Sequence, residues 1–130
     1  MKSVCDILKE AKNIAVVGIS DKPGRDSGRI ADFLVSKGYN VYGVHPSLTE
    51  YHGIQIFKSL TDIPAEIDIV DVFLNSSLIP QIIPDVLAVN PKTLWLQLGV
   101  KNDEAVKPVA EKGIDVIQDS CILIEYNSCN

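Results

Sequence analysis

The sequence predicts an α/β fold: a mostly parallel sheet of five to six strands with helices on both faces. Three observations predict it. Strand-like and helix-like segments alternate along the whole chain. The main strand segments are continuous apolar runs, as strands covered on both faces require. The connections are short, and right-handed crossovers between parallel strands then place helices on both sides.

The elements follow in order. Asp6–Ala11 (DILKEA) carries Ile7, Leu8 and Ala11 on a short helical face. Asn13–Ile19 (NIAVVGI) is the first strand. Ser27–Lys37 sets Ile30, Ala31, Phe33, Leu34 and Val35 on a helix, which Gly38 closes because glycine enters the left-handed conformation without a Cβ clash. Asn40–Val44 (NVYGV) is the second main strand and Ile54–Phe57 (IQIF) a short extra one. Ser59–Ile63 (SLTDI) predicts one helical turn, with Ser59 as its cap and Asp62 at its third position. Asp68–Leu74 (DIVDVFL) is the third main strand, with Asp68 and Asp71 expected as loop or edge charges. Ser76–Val89 reads as a helix with Ser77 near its start. Pro80 suits the first turn, whereas Pro84 demands a late start or a kink. Thr93–Leu98 is the fourth strand. Asn102–Gly113 is a helix capped by Asn102 and closed by Gly113, and Ile114–Gln118 is the fifth strand. Cys121–Tyr126 (CILIEY) has no assignable pattern. No repeat or linker interrupts residues 1–130, which read as a single domain.

Composition narrows the function. At 46% hydrophobic and 22% charged, the chain has the make-up of an ordinary globular protein. No apolar run approaches the roughly 20 residues that span a bilayer, and the amino-terminal MKSVCDILKEAKN lacks the apolar core of a signal peptide. A cytoplasmic protein without membrane contact is expected. A net charge of −5 opposes nucleic-acid binding, which needs a basic surface, but not one small anion held locally. Cys5, Cys121 and Cys129 show no CxxC spacing, so free thiols are expected rather than a disulfide framework or zinc site.

In a parallel sheet of this kind ligands bind beyond the carboxyl ends of the strands. Five loops are therefore of interest: Gly18–Ser27, His45–Ser47, Asn75–Ser77, Gly99–Lys101 and Asp119–Cys121. The first is the most informative. Gly18 ends its strand as in a dinucleotide fingerprint, but Ser20 and Pro23 stand where the next two glycines belong. Ser20 offers a hydroxyl. Ser27 is the expected cap of the next helix, whose open amides and dipole favour a phosphate. Lys22, Arg25 and Arg29 add positive charge against Asp21 and Asp26. A phosphate cradle and a plain strand-to-helix turn both fit this loop. The second loop, VHPS, has Val44 and His45 where an NAD site has an acid on the ribose hydroxyls. In the other loops Asn75, Gln97, Leu98 and Gly99 can line a pocket.

No catalytic set emerges. His45 and His52 have six residues between them and no cysteine at zinc-ligand spacing, and read as surface histidines. Neither a GxSxG elbow nor a P-loop is present. Cys121 meets His45 only if the strand order brings their loops together.

Taken in order, IAVVGISDKPGRDSGRIADFLVSKGYNVYGVHP, SLTDIP, DIVDVF, LWLQLGVKNDEA and DSCILIEY resemble the small bacterial and archaeal CoA-binding proteins. These are similar to the CoA-binding domain of the succinyl-CoA synthetase alpha subunit. The resemblance spans nearly the whole chain. It implies a Rossmann-like, doubly wound domain that holds CoA or acyl-CoA across the strand ends. Gly18, Ile19, Ser20, Lys22, Pro23 and Arg25 fall on the phosphate loop. His45 and Pro46 fall at the second strand end, Phe73 to Asn75 at the third, Gln97 to Gly99 at the fourth, and Cys121 on the fifth loop. Three positions depart from the family: Ser47 replaces a lysine, Leu74 and Asn75 replace a basic site, and Ser120 replaces another. Ligase chemistry is not implied, because the larger enzymes carry their phosphorylated histidine on a further domain.

The expectation is a stand-alone CoA or acyl-CoA binding protein without enzymatic activity. The alternatives are an NAD(P)-type nucleotide or redox sensor, and an interaction module that has lost its ligand. Thiol chemistry at Cys121, such as a mixed disulfide with CoA, is a fourth reading.

Overall fold

The computed structural model describes residues 2–129. The chain runs α1 (Val4–Glu10), β1 (Asn13–Val17), α2 (Asp26–Ser36), β2 (Asn40–Val44), β3 (Glu50–Tyr51), β4 (Ile54–Phe57), β5 (Ile69–Val72), α3 (Ile79–Val89), β6 (Thr93–Leu96), α4 (Asp103–Glu111), β7 (Asp115–Ile117) and α5 (Ile122–Asn127). Two 3₁₀ turns, Leu60–Asp62 and Ser76–Leu78, precede β5 and α3. One sheet holds all the strands in the order β3-β4-β2-β1-β5-β6-β7, every pair parallel except β3 with β4. The fold is doubly wound α/β and Rossmann-like.

The apolar runs explain the layering. Every residue of β5 and β6 is buried, and so is all of β1 beyond Asn13. Side chains alternate between faces, so each strand feeds two cores. Ala15, Val17, Val70, Val72, Leu94 and Leu96 pack against α3 and α4. Ile14, Val16, Ile69 and Trp95 pack against α1, α2 and α5. The sheet has seven strands against the expected five to six. The addition is the Glu50–Tyr51 hairpin strand, whose two residues are too few for any period to show.

Several local expectations are corrected. The unassigned carboxyl-terminal segment is a helix, α5, entered from an extended Cys121. Ser27 does not cap α2: the helix begins one residue earlier, with Arg25 at its cap. Ser59 sits at the cap of its turn without making a side-chain cap; its hydroxyl donates to the Asp62 carboxylate at 3.2 Å. The 3₁₀ turn at Ser76–Leu78 gives α3 a late start, with Pro80 in its first turn and Pro84 inside it. Cys5 and Cys129 are not free thiols but a disulfide, their Cα atoms 5.5 Å apart. Packing of α1 against α5 brings them together, which a sequence separation of 124 conceals. Cys121 is the free cysteine among the described residues.

Asp71 is the sharpest correction. It is no edge charge but the third residue of a central strand, 0% exposed, between Val16 and Trp95 in register. Neither carboxylate oxygen has a hydrogen-bond partner among the described residues. Burial therefore pushes its pKa well above the ordinary 3.8. The sign of the effect on stability follows. Below pH 3.8 the carboxyl is neutral in both the folded and the unfolded chain. As pH rises, the unfolded chain ionises first, so stability falls until the folded carboxyl ionises too. Asp71→Asn is therefore expected to raise the melting temperature at pH 7, by about 4 °C for each kcal/mol recovered. The gain should shrink towards zero as pH falls below 3.8. Thermal unfolding across pH checks this; a difference independent of pH would contradict it.

Candidate functional site

Strand order reverses between β1 and β5. From β1 the chain crosses through α2 to β2 on one side, while β5, β6 and β7 extend the sheet on the other. Loops leaving β1 and β5 therefore diverge and open a crevice above the sheet, where such folds hold ligands. A groove of about 350 Å³ lies there. Gly18 and Ser20 contribute from the β1 loop, and Arg25, Asp26 and Ser27 from the start of α2. Phe73, Leu74 and Asn75 come from the β5 end, and Gln97, Leu98 and Val100 from the β6 end.

Gly18 determines how near the two halves come. Its φ is +85°, and a Cβ there would stand 2.6 Å from the Phe73 carbonyl oxygen and 2.9 Å from Leu74 Cδ2. Glycine is needed twice over, for the backbone conformation and for the space. The loop then folds on itself. The Ser20 N–H donates to Ser27 Oγ at 2.9 Å, and the Lys22 N–H donates to Ser20 Oγ at 3.2 Å. Ser27, 3% exposed, thus fastens the loop instead of capping the helix. Among the described residues no side chain caps α2, so the N–H groups of its first turn stay open beneath the loop. Arg29 is paired with Asp26 at 3.2 Å, whereas Arg25 and Lys22 are exposed and take no part in the ion pairs of the described residues.

Side-chain oxygens expected in the other loops are already engaged. Asn75 Oδ1 accepts from the Ser77 N–H at 3.0 Å and from its hydroxyl at 2.9 Å. Gln97 Oε1 accepts the Ile122 N–H at 3.1 Å, at the start of α5. The Gly99 N–H donates to Asp119 Oδ1 at 2.7 Å. Leu98 is 65% exposed, an apolar side chain beside Phe73 and Leu74 at the groove rim.

Other expected site residues lie apart. Ile19 is fully buried in the core, so only its backbone faces the loop. Lys22 and Pro23 are exposed on the loop's outer turn, outside the groove lining. His45 and Pro46 follow β2, one strand over from the groove. His45 Nδ1 accepts the N–H groups of Ser47 at 3.0 Å and Leu48 at 2.9 Å, which puts the ring proton on Nε2. His52 instead meets Asp32 at 3.0 Å and stacks on Tyr51. Cys121 lies over the β6 end, where the Ser120 N–H donates to the Leu96 carbonyl and the Ile122 N–H to Gln97, three strand spacings or about 14 Å from the β2 loop. The Cys121–His45 pairing is thereby excluded by strand order.

Two groove residues escaped the sequence as ligand contacts: Asp26 and Val100. So did the role of Gly28. A Cβ on it would lie 2.5 Å from the Tyr51 hydroxyl and 3.0 Å from the Ser20 carbonyl, so this glycine lets α2 pack close to the loop and the β3 edge. Its signal was a glycine inside a helical pattern, which marks close approach. Two larger clefts, about 570 Å³ each, lie away from the carboxyl-end rim. They lack an open helix start, and the smaller groove is the one that strand order singles out. No group of three or more possible metal ligands occurs among the described residues.

The sequence matches a family described as a CoA binding domain over residues 12–127. The uncharacterized protein YneT of Bacillus subtilis is 37% identical over 121 residues, which cover 93% of this chain and 90% of YneT. The solved structure of cell-free ID.343 from Thermus thermophilus is 35% identical with a TM-score of 0.92, over 96% of this chain and 95% of that one. At 22% identity and a TM-score of 0.74, the fold alone recurs in the dinucleotide forming acetyl-coenzyme A synthetase 1 of Ca. Korarchaeum cryptofilum, over 83% of this chain and 26% of that one.

The close approach at Gly18 is open to a direct comparison. Gly24 has nearly the same φ, +84°, but nothing within 4 Å of a Cβ. Gly24→Ala should cost about 1–2 kcal/mol, the price of the left-handed backbone alone. Gly18→Ala should cost about 1–3 kcal/mol more, because overpacking against the Phe73 carbonyl is added. Denaturant unfolding of the two variants measures the difference; equal losses would refute the steric role.

Proposed function

The chain belongs to the CoA binding domain family, and we propose that it binds CoA or an acyl-CoA by itself, as a binding protein rather than an enzyme. The observation that carries the proposal is the groove at the β1–β5 reversal, with Gly18 stripped of its side chain and an uncapped helix start beneath it.

The residues present suit such a ligand. Open first-turn amides of α2 and the dipole behind them favour a diphosphate. Arg25 adds a guanidinium that grips phosphate through paired hydrogen bonds. Ser20 Oγ keeps acceptor and donor capacity beyond its bond from Lys22. Phe73, Leu74, Leu98 and Val100 give the groove an apolar wall for the pantetheine arm. Lys22, His45 and Pro46 stand on the flank where the nucleotide end would continue. His45, in place of an acid after β2, favours CoA over NAD. No metal enters this reading, and no helix among the described residues is long and apolar enough to cross a membrane.

Isothermal titration with CoA, dephospho-CoA and NAD tests it. Heat is expected with CoA, less with dephospho-CoA if Lys22 or His45 reads the 3′-phosphate, and none with NAD. Arg25→Ala should weaken CoA about tenfold or more, in line with a lost charge-assisted pair of about 1.5–3 kcal/mol. Binding of NAD but not CoA would overturn the proposal.

A further inference from the structure

We propose that the Cys5–Cys129 disulfide is a reversible redox site whose reduction releases α5 and loosens the loops after β6 and β7. Four observations carry it, and none requires the ligand to be CoA.

The bond is accessible. Cys5 is exposed, and both cysteines line a cleft of about 570 Å³. Lys9, Lys12 and Lys37 stand on the same cleft. Asp6 lies among them, so on a chain of net charge −5 the cleft carries three ammonium groups against one carboxylate. Ammonium groups favour a thiolate leaving group and draw in a negatively charged thiol.

The bond holds an element that holds little by itself. α5 has six residues, too few to stand alone as a helix. Ile122 is its one buried residue, and Ile124 is 56% exposed. Tyr126 adds edge-on contacts with Phe33 at 5.5 Å and Tyr39 at 6.2 Å. Leu123 and Tyr126 pack half-buried against the core, and the covalent link to α1 fixes the carboxyl end.

The other end of α5 is wired to the strand ends. The Ile122 N–H donates to Gln97, the Trp95 indole N–H donates to the Ser120 carbonyl at 2.8 Å, and the Gly99 N–H donates to Asp119. Gln97 also lines the groove. Motion of α5 is therefore felt by residues 97–99 and 119–122.

The chemistry balances with a dithiol as reductant. Its thiolate attacks Cys5 Sγ, the S–S bond breaks, and Cys129 leaves as a thiolate that takes up a proton. The second thiol of the reductant then attacks the mixed disulfide, frees Cys5, and the reductant departs as its own disulfide. Two electrons pass to the protein. Where the surroundings are reducing, such a bond is transient, and its state becomes a variable.

Amide exchange on the full chain, oxidised and then reduced with dithiothreitol, tests the inference. Exchange at Ile122–Asn127 and at Gly99 should quicken about tenfold or more on reduction, while β1 and β5 keep their protection. Emission from Trp95, the single tryptophan, should change and recover on reoxidation. Cys5→Ser should reproduce the reduced state without added thiol. Unchanged exchange across α5 would overturn the inference. So would loss of protection in β1 and β5, since the bond would then be a staple of the whole fold.

Discussion

The closeness of Gly18 to the Phe73 carbonyl is the constraint on which the site depends. Strands β1 and β5 are neighbours in the sheet, yet the chain leaves them in opposite directions. For a ligand to lie across both ends, neither loop can raise a side chain between them. Position 18 is where that demand falls, and a Cβ there has no room. Everything near it is arranged around that gap. Ser27 is buried to hold the Ser20 backbone, Gly28 lets α2 sit close to Tyr51, and Leu74 closes the far wall.

A second consequence concerns who supplies the polarity. In the loops after β5, β6 and β7, side chains bond mostly to one another's backbones. Ser76 Oγ accepts the Lys101 N–H, Asn102 reaches the Ser76 carbonyl, and Gln118 accepts the Asn102 N–H. Asn75, Gln97 and Asp119 each give a side-chain oxygen to a backbone N–H. Among the described residues, the start of α2, Arg25, Lys22 and the side-chain amide N–H groups of Asn75 and Gln97 take no part in these bonds. On the proposed reading an anion meets the α2 start and its flank first, while the other loops, tied together by their own bonds, form the walls of the groove.

This division also explains what the sequence could and could not show. Apolar runs such as Asn13–Ile19 and Asp68–Leu74 announced buried parallel strands, because burial on both faces leaves a local mark. The Asn102 cap was legible for the same reason: its acceptor and the Ala105 N–H are three residues apart. Ser27 was misread because its partner, Ser20, lies seven residues back across a turn. Asp71 was misread because an acid inside an apolar run looks like an edge, and only the strand order makes β5 central. The Cys5–Cys129 bond and the distance from Cys121 to His45 are likewise properties of topology, invisible to spacing.

The three positions that depart from the family gain a physical meaning from the same view. At Ser47 the backbone N–H turns onto His45 Nδ1, so a histidine takes over a turn-forming acceptor role. At Asn75 the side chain caps Ser77. At Ser120 the carbonyl receives the Trp95 indole. The resemblance implies a basic side chain at each of these sites; here each is fixed instead by a hydrogen bond. Fewer charges weaken long-range attraction for an anion, an effect that salt already screens beyond about 8 Å. Loops fixed beforehand lose less entropy when a ligand arrives, by about 0.5–1.5 kcal/mol for each long side chain that need not be immobilised. The two effects oppose one another. On the proposed reading, the ordering of these loops therefore offsets part of the charge that the resemblance would place there.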